Sequence, residues 1–201
     1  MKTINFLDSV VFKKIRNSAY FPVVVFLGLF FVFYGFSLFT ISITTPGGLY
    51  NEFAEKYLDW FSVLRTFLLE ASTKLLNLLG YEAYLYGKYK ISIPGKVQLR
   101  MIHSCVGMGL FSFWWAMILA FPQSVKNKIT YFLVGTLLII TLNILRITAV
   151  AIAAVEKKGN HALKIDHHLL FNVVVYAILF FMLYRWFNIK DRNKPSPDQA
   201  R

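Results

Sequence analysis

Cysteine is nearly absent: Cys105 is the only one in 201 residues. A single thiol excludes an internal disulfide framework, and with it the multi-cysteine clusters of structural zinc and iron–sulfur proteins. Acidic residues are also scarce, 10 against 22 lysines and arginines, which leaves a net charge of +12. The basic residues flank apolar segments and form no stripe with interleaved aromatics, so nucleic acid is not the partner they indicate. The chain further lacks internal repeats, low-complexity tracts, a Walker loop, an HExxH zinc motif, a Gly-x-Ser-x-Gly elbow and a Gly-x-Gly-x-x-Gly fingerprint. No cofactor is therefore expected, and any chemistry must come from residues brought together by the fold.

Apolar side chains are what the chain has in excess. They make up 57% of it, with a mean hydropathy of +0.53, more than a soluble fold of this length can cover. Lipid can cover the remainder, and the sequence reads as an all-α polytopic membrane protein. Tyr20 to Ile43 carries no charge and is long enough to cross a hydrocarbon core of about 30 Å. It is too long for the apolar region of a signal peptide, and Thr44-Thr45-Pro46-Gly47-Gly48 closes it without a small-x-small cleavage pattern, so it reads as a retained first span. Three more spans are expected at about 108–121, 131–155 and 169–187, in a single domain over 1–187 with a polar cytoplasmic tail over 188–201. With both termini inside, the cytoplasmic side has a charge balance of +8 and the outer side +3, which fits an inner (cytoplasmic) membrane protein whose longest loop faces outward.

That loop has structure of its own. Over 60–79, Ser62, Thr66, Glu70, Thr73, Lys74 and Asn77 recur at steps of three or four opposite Phe61, Leu64, Leu68, Leu75 and Leu79. This pattern predicts an amphipathic helix at the membrane surface or against the bundle, ended by Gly80. Over 85–102, Ile91, Ile93, Val97, Leu99 and Met101 alternate around Pro94-Gly95 and predict a short β-hairpin that delivers the chain to Cys105.

Three sets of polar residues fall at the same outer level of this topology. Cys105 begins the second span, where helix N-terminal amides favour a thiolate, although position alone leaves the thiol balanced between packing and chemistry. Arg146 lies inside an otherwise uncharged run, with Asn143 one turn earlier on the same face. An arginine there faces a protein interior or aqueous cavity, snorkelling being the alternative. His167 and His168 open the last span. A cysteine with a histidine makes an activated nucleophile, and an arginine can stabilise the thiolate or a tetrahedral oxyanion, so the set reads as acyl transfer. A metal site using His103, Cys105, His161, His167 and His168, with Asp166 behind them, is the weaker alternative, because His-x-Cys is unspecific and a metal gives Arg146 no task.

At these residues the sequence resembles the exosortase and archaeosortase family of membrane-embedded cysteine transpeptidases. Cys105-Val106-Gly107 matches its Cys-Ser-Gly-like motif, Asn143-Ile144-Leu145-Arg146 its Asn-x-x-Arg, and His168 the histidine opening the last span. Leu79-Gly80 and the strand-turn-strand through Pro94-Gly95 are also similar, and the likeness covers roughly Trp60 to Tyr184. Val106 stands where the family has a small hydroxyl residue, Asn172 where exosortases usually have glycine, and the chain has about half the usual spans. The resemblance implies Cys105 as nucleophile, Arg146 as thiolate and oxyanion stabiliser and His168 as general base and acid. His167, Asn143, Gly107 and Asn172 would support them, Gly107 by leaving room for a substrate backbone. The implied substrates are exported proteins ending in a short motif, a transmembrane helix and a basic tail. They would be cut and transferred to an envelope acceptor on the extracytoplasmic side. The rival class is a non-enzymatic assembly or transport subunit in which Arg146 only pairs helices.

The topology is checkable through its one thiol. An impermeant maleimide added to intact cells should label Cys105 from the outer side, whereas labelling only in inverted vesicles would reverse the orientation.

Overall fold

A computed structural model of the chain describes residues 20–45, 49–87, 89–101, 106–157 and 167–188, with 157 and 167–172 described as backbone only. It is mostly helical, with six helices and one small sheet among these residues. The first helix, α1 (Phe21–Thr44), starts with Pro22 in its first turn, where a missing N–H costs nothing. Its surface is the reverse of a soluble helix. Val24, Phe31, Val32, Phe36 and Phe39 are exposed, while the buried residues are Ser37, Thr40 and Thr44. Each hydroxyl donates to the carbonyl four residues earlier, at 2.9 Å, so the polar groups are satisfied without leaving the helix.

Next comes α2 (Glu52–Leu58), which periodicity over so few residues does not announce. It depends on Asn51, whose side-chain oxygen accepts from the amides of Phe53 (2.9 Å) and Ala54 (3.2 Å), with Glu52 and Glu55 in the favourable first turn. Beside it, the Tyr50 hydroxyl donates to the Glu55 carboxylate at 2.6 Å, and that bond holds the phenol's proton and raises its pKa. Asp59 caps the next helix, α3 (Trp60–Leu78), by accepting from Ser62 N at 3.0 Å. At the other end, Tyr81 N bonds Leu76 O and Gly80 N bonds Asn77 O, with Gly80 at φ +85°. This is the double bond of a Schellman cap, so the glycine does end the helix as expected.

The faces of α3 differ from the sequence pattern. Its buried stripe is Phe61, Arg65, Leu68, Leu69, Ser72, Thr73 and Leu76, while Leu79 is exposed. Thr73, expected on the polar side, is buried because its hydroxyl donates to Leu69 O at 2.8 Å. The helix lies against the bundle, and Ser72 Oγ, 3.4 Å from Ile144 O, marks the contact with α5.

The expected hairpin is one strand short of the structure. β2 (Lys90–Ile93) and β3 (Val97–Arg100) pair around the Pro94-Gly95 turn, with Ile93 opposite Val97, and β1 (Tyr84–Tyr86) adds to the other edge of β2. Asn77 sets up that third strand by exchanging two hydrogen bonds with the Ala83 backbone, at 2.8 and 3.0 Å. With neighbours on both sides, β2 buries Ile91, Ser92 and Ile93 in succession.

The remaining helices are α4 (Met108–Ala120), α5 (Val125–Lys157) and α6 (His167–Phe187), close to the spans read from sequence. Among the described residues, Phe21–Thr44 and the α5 run Val125–Glu156 are the two helices long and apolar enough to cross a membrane, α4 is a shorter apolar helix, and Val173–Phe187 is the apolar part of the 21-residue α6. Thirteen residues rise only about 20 Å, so α4 falls short of the hydrocarbon thickness, while α5 overshoots it at about 50 Å. The tail over 189–201 lies outside the described residues.

The core runs from Phe61, Leu68 and Ile91 through Val106, Phe111 and Trp114 to Ile139 and Leu179. Trp114 fixes the approach of α4 to α5. Its indole donates to Tyr131 O at 3.1 Å, and its ring occupies the space a Cβ at Gly135 would need. Gly135→Ala should therefore lower stability by about 1–3 kcal/mol. Thermal denaturation in detergent would show it, with Gly28→Ala, where the space is open, as the unaffected control.

Candidate active site

The turn into α4 is built from Val106 and Gly107. Val106 is fully buried, and Gly107 is the helix N-cap at φ +82°, ψ 25°, a left-handed conformation that glycine takes without strain. Its carbonyl accepts from Leu110 N at 2.9 Å and Phe111 N at 3.1 Å, which starts the helix. From α5, Asn143 reaches across and donates from Nδ2 to Val106 O at 3.0 Å. Asn143 is itself buried, so this bond answers two polar groups that water does not reach.

The same geometry gives two reasons for Gly107. The space beside its Cα holds Asn143: an ideal Cβ there would come within 2.6 Å of Nδ2. Its backbone angle is the other.

Arg146 follows Asn143 by just under one turn and is half-buried. It borders two separate spaces. The larger is a cavity of about 900 Å³. One of its walls is the α1 face Phe30, Tyr34, Leu38 and Ile41, and another is the α6 face Val175, Tyr176, Leu179, Phe180 and Leu183. Its back is Gly107 to Leu110 and Phe113 of α4, with Asn143 and Arg146 from α5. The polar side chains of this lining are Tyr34, Tyr176, Asn143 and Arg146, so among the described residues a guanidinium is its one fixed charge. The smaller space, about 90 Å³, lies between α5 and the sheet layer, among Leu69, Ile91, Leu99, Met101, Ile147 and Val150. Arg146 thus stands where the helical bundle meets the α3 and sheet layer.

Asn143, Arg146 and Gly107 line the same cavity. Cys105 lies outside the described residues, as do His103, His161 and Asp166. The described chain ends at Met101, whose amide donates to Tyr89 O at 2.9 Å, and resumes at Val106, held by Asn143. His167 and His168 are the first two positions of α6, and Asn172 is one turn further along it. Among the described residues no group of three His, Cys, Asp or Glu side chains could hold a metal.

The family model described as "Transmembrane exosortase" matches residues 13–185. No curated protein matches the chain, and no solved structure does.

Removing the bond that anchors this turn has a definite expected cost. Asn143→Ala leaves the buried Val106 carbonyl unpaired and should destabilise the protein by about 1–3 kcal/mol. Thermal or urea denaturation in detergent measures it, with the exposed Thr141→Ala near neutral for comparison.

Proposed function

The chain belongs to the transmembrane exosortase family, whose members process proteins carrying sorting signals, and on that premise we propose that it is a membrane-embedded cysteine transpeptidase. The observation that carries the reading is the Asn143 bond to Val106. It joins the Asn-x-x-Arg segment of α5 to the residue next to Cys105 in the sequence, and Gly107, Asn143 and Arg146 line one cavity.

In this reading the Cys105 thiolate attacks the scissile carbonyl carbon, and the oxyanion that forms is stabilised by the Arg146 guanidinium. As the C–N bond breaks, His168 gives its proton to the leaving amine, and the upstream product stays on sulfur as a thioester. The acceptor nucleophile then loses its proton to His168 and attacks the thioester, which releases the product and restores the thiolate. His167 is the neighbour that holds or replaces His168, and Asn172 lies one turn further along α6. Asn143 acts through the backbone of the nucleophile's turn.

The cavity suits the substrate end implied by such a signal. Its apolar walls on α1 and α6 would take the apolar stretch that follows the cleavage motif, with the scissile bond at Arg146. We place α1, α4, α5 and α6 as four crossings, the thiol on the extracytoplasmic side of the inner membrane, and the basic tail of the substrate on the cytoplasmic side. The acceptor is an envelope molecule with a nucleophilic group.

Cys105→Ala should leave the protein inserted and folded but abolish processing of a co-expressed sorting-signal protein, read as a shift in its size on immunoblots. Undiminished processing by that variant would end the catalytic reading. A thioester on Cys105, found by mass spectrometry after trapping at low pH, is the direct confirmation.

A further inference from the structure

Two large aromatic side chains stand in the open on α2, and the chemistry above uses neither. Phe53 is 68% exposed and Tyr57 63%, although the two are one turn apart with ring centres 4.7 Å from each other. Leu49 and Tyr50 before them and Leu58 after them are exposed as well. At about 3.6 residues per turn, Phe53, Ala54, Tyr57 and Leu58 fall on one arc of the helix, and Glu52, Glu55 and Lys56 fall on the opposite one. The helix is short but fully amphipathic.

A soluble helix turns such an arc inward, yet on α2 the buried residue is Ala54, the smallest of the four. The place of the helix says what covers the larger ones. α1 has 24 residues and is about 36 Å long, so a hydrocarbon core crossed by α1 ends near its last turn. From the head of α2, the Asn51 amide donates to Ile43 O in that turn at 2.9 Å, and α2 packs against α1. α2 is therefore held at the level where hydrocarbon gives way to headgroups, just beyond the apolar surface that α1 exposes through Phe36, Leu38 and Phe39. Side chains with an apolar body and a polar tip suit that level. Tyr50 is one, its ring exposed and its hydroxyl donating to Glu55 at 2.6 Å.

We propose that α2 is an in-plane membrane anchor, with Phe53 and Tyr57 inserted about 5–10 Å into the boundary between headgroups and acyl chains. Its polar arc holds two carboxylates and one ammonium, so the insertion draws on apolar burial and needs no anionic lipid. Because Asp59 both ends α2 and caps α3, the anchor stands directly between the first span and the helix that lies on α5. The inference rests on α1 crossing the bilayer, as placed above, and not on the chemistry of Cys105.

The experiment uses the full chain in phosphatidylcholine vesicles. Cys105→Ala removes the one thiol, so Phe53→Cys, Tyr57→Cys, Glu52→Cys and, in the middle of α1, Phe31→Cys each take a single nitroxide spin label. Power saturation then compares collisions with oxygen, which concentrates in lipid, and with a water-soluble nickel chelate. The oxygen-to-nickel ratio at 53 and 57 should be at least threefold that at 52, with no phosphatidylglycerol added. A smaller difference, or one that appears only with phosphatidylglycerol, overturns the proposal. Shielding of 53 and 57 from both reagents also overturns it, because protein and not lipid then covers the arc. A lipid-like ratio at 31 beside water-like ratios at 53 and 57 defeats the anchor alone, whereas a water-like ratio at 31 removes α1 from the bilayer and the anchor with it. Whether Cys105 is the nucleophile is decided separately by the processing assay.

Discussion

A buried carbonyl at the mouth of a helix must be answered by something, and here the answer comes from another helix. Val106 O accepts from Asn143 Nδ2, a donor carried by α5. One consequence is local: Gly107 must be glycine, because its left-handed backbone and the asparagine beside it leave no room for a Cβ. Another is global. The bond ties the turn that begins α4 to the middle of the longest helix, and Arg146, borne by the same helix, comes with it.

From that junction the two halves of the molecule can be read. On one side are α1, α4 and α6, whose outward residues are apolar and whose shared space is the cavity. On the other are α3 and the sheet, which bury Arg65, Ser72, Thr73 and Ser92 and include a tight Schellman cap. α5 belongs to both, being long enough to serve as a span and as the wall against which α3 lies. An arginine inside such a helix is costly unless something polar adjoins it. Its place at the boundary between the halves gives it both an apolar cavity and the sheet layer as neighbours.

Hydrophobic runs made the apolar helices legible, because a break in polarity survives any detail of packing. Gly80 and Pro94-Gly95 were legible for a different reason, since each fixes backbone angles that few residues allow. What could not be read depended on partners far along the chain. Thr73 looks like a polar-face residue until α3 meets its neighbours, and only the fold shows that it is inside. The seven residues of α2 carry too little periodicity to announce a helix. The third strand, Tyr84 to Tyr86, was set by Asn77, a helix residue, so no pattern within the strand announced it. In the site, the order of Cys105, Asn143, Arg146 and His168 was legible as a motif, whereas the asparagine's bond was not, because its acceptor is a backbone atom.

The buried hydroxyls of α1 give this helix a particular mechanical character. Because Ser37, Thr40 and Thr44 close their hydrogen bonds on carbonyls of α1 itself, the face turned toward α4 is polar in sequence but offers no interhelical bond through those groups. What holds the two helices is surface fit, including the edge-on contacts of Phe26 with Phe113 and of Phe33 with Trp115. Such a contact resists separation yet has little to break when one helix slides along the other. In a bilayer whose thickness varies, α1 can change its depth beside the short α4 while the anchored turn at Val106 stays where it is.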